Sequence, residues 1–182
     1  MGCLSVYEPE TIQEIAHSAK VKLVKHYASQ GDILNWGRIL FPDKFNLPFC
    51  QELHNYFIEI AHEPFTDTLA PRGHAKTAIK CFLIPLFIAL TEPNRYKHYL
   101  NIQKTSSKAV TVNLNIRNEL ELNELLVEVY GDQRTDKWTE KQFVMKNGVI
   151  FSSLGAGDSI RGIQVSNKRP DYIVLDDMYD DE

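Results

Sequence analysis

Residues 81–90, CFLIPLFIAL, are apolar at every position and carry Pro85 in their middle. The run is about half the ~20 residues needed to span a bilayer. It must therefore be covered by other parts of a folded domain. At 182 residues, 43% apolar and 24% charged, the chain can supply that cover from one domain with a sizeable core. The N-terminus reads as an acidic amphipathic segment and not as a basic stretch followed by an apolar leader. A cytoplasmic location, away from a membrane, is the expectation.

Around this run, helical and strand-like patterns alternate. Apolar positions Ile12, Ile15, Ala16, Ala19, Leu23 and Val24 recur at helical spacing, and Gln30-Gly31-Asp32 ends the helix. A short helix is expected from Ile33 to Leu40, then a loop with Pro42 and Pro48, then a second amphipathic helix through Phe49, Leu53, Tyr56, Phe57 and Ile60. Residues 65–69 read as a strand running into the turn 70–77. That turn opens a helix through to Leu90, which Pro85 should kink or end early. Residues 96–102 read as another strand and 105–123 as another helix. Phe143 to Met145 and Val149 to Phe151 flank Lys146-Asn147-Gly148, a hairpin signal. A glycine-rich turn at 155–158 follows, and an apolar strand from Tyr172 to Leu175 ends in Asp176-Asp177. Such alternation predicts an α/β fold on a parallel sheet. The stretch 166–170 is the one expected flexible insert.

The net charge of −4 excludes a uniformly basic surface, so any nucleic-acid contact must come from a local patch or from partner subunits. Cys3, Cys50 and Cys81 are scattered and form no C-x-x-C pair, which fits reduced thiols and argues against a structural zinc site. His54, His62 and His74 lack metal-ligand spacing and read as surface or helix residues. Lys104 and Lys108, with Lys97 and His98 nearby, read as a basic patch or, more plainly, as a solvated helix face.

Two segments carry the chemistry. Residues 70–77 stand where a strand-to-helix turn points backbone N–H groups at phosphates, aided by the positive end of the helix. There Lys76 would meet the outer phosphates and Thr77 would hold Mg2+. Ala70 and Ala75 replace the glycines usual in such a turn, leaving Gly73. Ala75 is tolerable if its φ is negative. The same residues also suit a plain Pro-Arg-Gly turn before a buried helix. Roughly a hundred positions downstream, the run from Tyr172 to Leu175 reads as a fully buried parallel strand whose C-terminal carboxylates lie where ligands sit in open α/β sheets. Asp176 would face the metal. An ordinary strand with a solvated acidic turn is the plainer reading.

Pro71-Arg72-Gly73-His74-Ala75-Lys76-Thr77 resembles the phosphate loop of the large terminase subunits of tailed bacteriophages. Ser159-Ile160-Arg161-Gly162, and Arg169-Pro170-Asp171-Tyr172-Ile173-Val174-Leu175-Asp176-Asp177 with Asp181-Glu182 behind, resemble that family's arginine loop and Walker B strand. Leu47-Pro48-Phe49 through His54 is similar to the segment that contacts adenine. The likeness spans roughly residues 40–182.

The resemblance implies a P-loop ATPase of the additional-strand class: a parallel sheet flanked by helices over 41–182, preceded by a helical segment over 1–40. It implies ATP and Mg2+ as cofactors, with Pro71, Arg72, Gly73, His74, Ala75, Lys76 and Thr77 around the phosphates and Thr77 and Asp176 on the metal. Asp177 stands where the family carries a catalytic glutamate, and Glu182 is the second candidate to orient water. Arg72 would contact the γ-phosphate. Arg161, which also reads as a surface arginine, would be an arginine finger reaching a neighbouring subunit. The implied partners are double-stranded DNA, a homo-oligomeric ring, and the phage portal and small terminase subunit, at the procapsid in the host cytoplasm. Since the chain stops after its Walker B strand, a fragment or truncated reading frame is expected, poorly active alone. Another P-loop translocase or helicase, or a non-catalytic assembly module, remains open.

Overall fold

The structure, a computed structural model, describes residues 9–68, 70–71, 73–159, 163–165 and 167–178. Helix α1 (Pro9–Gln30) lies along α2 (Ile33–Leu40) and along α6 (Glu124–Tyr130). Of the apolar stripe expected on α1, Val24 is buried, whereas Ile15 and Leu23 stay exposed. Asp32 explains the clean start of α2, because its side chain accepts the Asn35 N–H at 3.1 Å. Helix α3 (Gln51–Glu59) runs into a single 3-10 turn (Ile60–His62).

The expected strand at 65–69 does not form over the described residues. Phe65 is fully exposed and has a φ of +59°, a left-handed conformation that an extended strand cannot contain. The apolar run is helical throughout, but Pro85 changes how. A π-helical segment (Ala78–Leu83) precedes α4 (Ile84–Thr91), and the Ile84 N–H reaches back to the Ile79 carbonyl. Pro85 lacks an N–H and its ring would crowd the carbonyl four residues earlier. The wider π turn places it at the first turn of α4, so the helix is neither broken nor shortened.

Among the described residues the sheet has four strands in the order β2-β3-β1-β4: β1 (His98–Gln103), β2 (Gln142–Val144), β3 (Ile150–Gly155) and β4 (Tyr172–Asp176). Strand β1 pairs in parallel with β3 and with β4, while β2 runs antiparallel to β3. The expectation of a parallel sheet is therefore corrected to a mixed one. The cause is the Lys146-Asn147-Gly148 connection, which is too short to cross over and can only reverse the chain. Helix α5 (Ser106–Leu122) follows β1, and Asn123 both ends it and caps α6, accepting the Leu126 N–H at 3.1 Å.

One sheet face carries the main core. Phe143, Phe151 and Tyr99 stack across β2, β3 and β1, with ring centroids 5.0 and 4.9 Å apart and interplanar angles of 14° and 10°. Trp36, Leu83, Leu86, Ile116, Leu120 and Leu126 complete the core from the helices. The opposite face is thinner: Leu100, Ile102 and Leu154 are covered by Ile163 and Met178. Strand β4 was expected to be buried on both faces. It lies instead at the end of the sheet order, with Ile173 55% and Leu175 62% exposed.

Candidate functional site

The site lies where the C-terminal ends of β1 and β4 meet the turn before the π-helical segment. Gly73 has a φ of +82°, in the left-handed region that glycine enters at no steric cost. Ala75 has a φ of +52°, so the negative φ on which its tolerance was expected to depend is not what the backbone adopts. Its methyl group is carried at a strain of roughly 1–2 kcal/mol. The surroundings hold it there: the Ala75 carbonyl accepts the Ile79 N–H at 2.8 Å, and the His74 carbonyl receives the His54 ring Nε2 at 3.1 Å. His54, read from sequence as a surface or helix residue, is 6% exposed and packs edge-on against Phe49. It acts as a strut beneath the turn.

Beyond the turn, Lys76 and Thr77 reach β4. The Thr77 hydroxyl donates to Asp176 Oδ2 at 2.5 Å, and Lys76 Nζ lies 3.4 Å from Asp176 Oδ1. Asp176 is 6% exposed and also receives the Gln103 side-chain amide at 3.4 Å. A carboxylate this deep is sustained by such partners, because burial alone penalises its charge. Beside it, burial first and the Asp176 charge second push the Cys81 thiol pKa well up, which keeps that thiol protonated and inert. Burial lowers the pKa of Lys80, whose ammonium donates to the Thr68 hydroxyl.

Asp177 follows with a φ of +50° as β4 ends. Its Oδ2 lies 2.5 Å from Lys108 Nζ, both side chains being about half exposed. Lys108 belongs to the first turn of α5, and Thr105 caps that turn by accepting the Lys108 N–H. Sequence reasoning left Lys108 on a solvated face. The signal that would have found it is non-local, a pairing across 69 positions. Gly155 sets where α5 begins: a Cβ there would lie 2.6 Å from the Ser106 nitrogen, so β3 and α5 meet this closely only because the side chain is absent.

The turn and the C-terminal ends of β1 and β4 line an open cavity of about 890 Å³, within the size range of small-molecule sites. Phe45, Leu47, Pro48 and Phe49 form an apolar side, and Lys76, Thr77, Gln103, Asp176, Asp177 and Lys108 a polar one. Pro71, Gly73, His74 and Ala75 belong to the same wall. Arg72, Arg161 and Glu182 lie outside the described residues. Among the described residues, no three His, Cys, Asp or Glu side chains gather as a metal cage. The Thr77 hydroxyl and Asp176 carboxylate are nevertheless hard oxygen donors of the kind Mg2+ takes one or two at a time, with phosphate and water as its remaining ligands. No helix of the described residues is long and apolar enough to cross a membrane. Comparison with protein-family profiles, curated proteins and solved structures finds no match to the chain.

Proposed function

We propose that the cavity binds a nucleoside triphosphate with Mg2+ and that the chain is the ATPase part of a DNA-packaging motor of the large-terminase kind, in an α/β fold of the P-loop class. The observation that carries this reading is the 2.5 Å hydrogen bond from Thr77 to Asp176, which joins the two chemistry-bearing segments across 99 positions. Bound Mg2+ would supply charge neutralisation between the phosphates. Lys76 would oppose phosphate charge from the turn, Thr77 and Asp176 would hold the ion, and Asp177 would orient the attacking water, with Glu182 as its alternate. Phe49, Leu47 and Pro48 offer the base an apolar wall.

Catalysis on this reading is positioning and electrostatics, since phosphoryl transfer asks for little covalent chemistry from the protein. Arg72 on the γ-phosphate, Arg161 across a subunit boundary, double-stranded DNA, a homo-oligomeric ring, and the portal and small terminase subunit come from the family resemblance alone. A binding module without turnover is the second reading. The Asp177–Lys108 pair favours it, because it engages the carboxylate that hydrolysis requires.

Calorimetry with Mg-ATP tests the proposal. Lys76→Ala should weaken binding by about a hundredfold, the loss of a charge-assisted contact worth roughly 3 kcal/mol. Asp176→Ala should weaken only the Mg2+-dependent part. Asp177→Asn should keep binding and stop phosphate release. Unchanged affinity in Lys76→Ala removes the phosphate site, and binding without phosphate release by the parent leaves the second reading.

A further inference from the structure

Lys108 comes from neither segment that suggested a nucleotide site, yet it lines the same cavity and closes an ion pair on Asp177. We propose that Lys108 is a specificity-determining residue that exchanges partners: it holds Asp177 when the cavity has no ligand and moves to the terminal phosphate of a triphosphate. This inference rests on the reading of the cavity as a nucleotide site.

Charge within the cavity motivates it. A polyphosphate entering here faces Asp176 and Asp177 side by side at the end of β4, and like charges at such range repel. Among the described lining residues the cations are Lys44, Lys76 and Lys108, and Lys44 is drawn off toward Glu119 at 3.2 Å. Lys76 answers Asp176, and Lys108 answers Asp177. The two pairs differ in how readily they part. Asp176 is buried and also held by Thr77 and Gln103. The Lys108–Asp177 pair is half exposed and screened, a type worth about 0–1 kcal/mol. A phosphate oxygen can outbid so weak a contact, because it carries more charge and accepts several hydrogen bonds.

The exchange has a direction. Lys76 and Thr77 stand at the helix start, where the backbone N–H groups take the inner phosphates. Lys108 approaches from α5 on the Asp177 side, and only the outermost phosphate extends to it. A diphosphate leaves Lys108 on Asp177, whereas a triphosphate draws it away from that carboxylate. Discrimination between the two ligands and the parting of this ion pair are then one event.

The experiment compares Mg-ATP and Mg-ADP affinity by calorimetry in the full chain and in the variants Lys108→Met, Lys108→Arg, Asp177→Asn and Lys76→Ala. Lys108→Met should lose about tenfold in ATP affinity and less than about twofold for ADP. Lys108→Arg, which keeps the charge, should retain most of the ATP preference and covers the case in which the methionine variant fails to fold. Asp177→Asn should bind ATP about threefold more tightly, because the competitor for Lys108 is gone. In the Lys108→Met background the gain from Asp177→Asn should shrink, whereas plain repulsion between Asp177 and phosphate gives the same gain in both backgrounds. If Lys108→Met and Asp177→Asn weaken both ligands alike, or neither alters ATP affinity, the exchange is refuted. Should Lys76→Ala abolish binding while the Lys108 variants are silent, only this inference fails. Intact binding in Lys76→Ala sinks the nucleotide site and the exchange together.

Discussion

The two ends of the parallel strands use aspartate in opposite ways. At the N-terminal end, just before β4, Asp171 accepts the backbone N–H groups of Lys97 and His98 at 2.8–3.0 Å, tying β4 to β1. His98 is buried beside it, with Nδ1 at 3.2 Å from the Lys168 carbonyl and Nε2 at 2.8 Å from Ser152 Oγ. At the C-terminal end Asp176 and Asp177 face ammonium groups and a hydroxyl across an open cavity. Backbone donors cannot leave, so the first arrangement is structural. Flexible side-chain donors can be exchanged for a ligand, so the second suits binding. The chemistry of the partner, and not of the carboxylate, separates a latch from a site.

A crossover in readouts tests this contrast. Lys76→Ala should carry the largest effect, the hundredfold loss of Mg-ATP affinity, in a chain that stays folded because Thr77 and Gln103 still hold Asp176. Gly155→Ala should come next, destabilising by about 2–3 kcal/mol because the added methyl meets the backbone of Ser106 and not a movable side chain. It should also impair ATP binding by moving the start of α5 and hence Lys108, which a thermal melt paired with a titration would reveal. Asp171→Ala should cost about 1–2 kcal/mol through its lost backbone hydrogen bonds and leave nucleotide affinity unchanged. A loss of affinity in that variant without a loss of stability would break the contrast.

The smallest effect concerns pH. Burial is the main cause that lowers the His98 pKa below its ordinary 6.5, outweighing the Lys168 carbonyl and the Asp171 charge, and burial lowers His62 likewise. A folded state that disfavours the imidazolium binds fewer protons than the unfolded one. Stability from these groups is thus complete above about pH 6.5 and is lost as pH falls below it toward the depressed folded values. Melting temperatures should therefore fall between pH 7.5 and 5. His98→Gln should show a shallower slope. An equal slope assigns the pH dependence elsewhere.

Much of the fold was legible from local chemistry. The bounds of α2 follow from Gly31-Asp32, where the aspartate caps the helix, and the β2–β3 hairpin follows from Asn147-Gly148, whose Gly148 has a φ of +81°. The failures are non-local. Phe65 to Thr68 has strand-like residues, but no strand of the described sheet pairs with them. The apolar run of β4 said nothing about which neighbours would cover it, so its exposed face could not be foreseen. Thr77, Lys76, Asp176 and Asp177 were legible as a set because each sits in a motif. Lys108 was not, because its meaning comes from folding β1 and β4 side by side.

The π-helical segment has a consequence for phase. An α-helix advances about 100° per residue, so one extra residue in a wide turn rotates everything beyond it by about that angle. Lys76 and Thr77 stand before this turn, and Leu83, Leu86 and Ile88 at its end or after it. The azimuth of the cavity-facing pair is thereby uncoupled from that of the core-facing leucines. A single 3.6-residue wheel drawn through both would aim one group wrongly. Deleting one residue from Ala78–Leu83 would restore a uniform helix, keep the leucines seated, and swing Lys76 and Thr77 about a quarter turn away from Asp176.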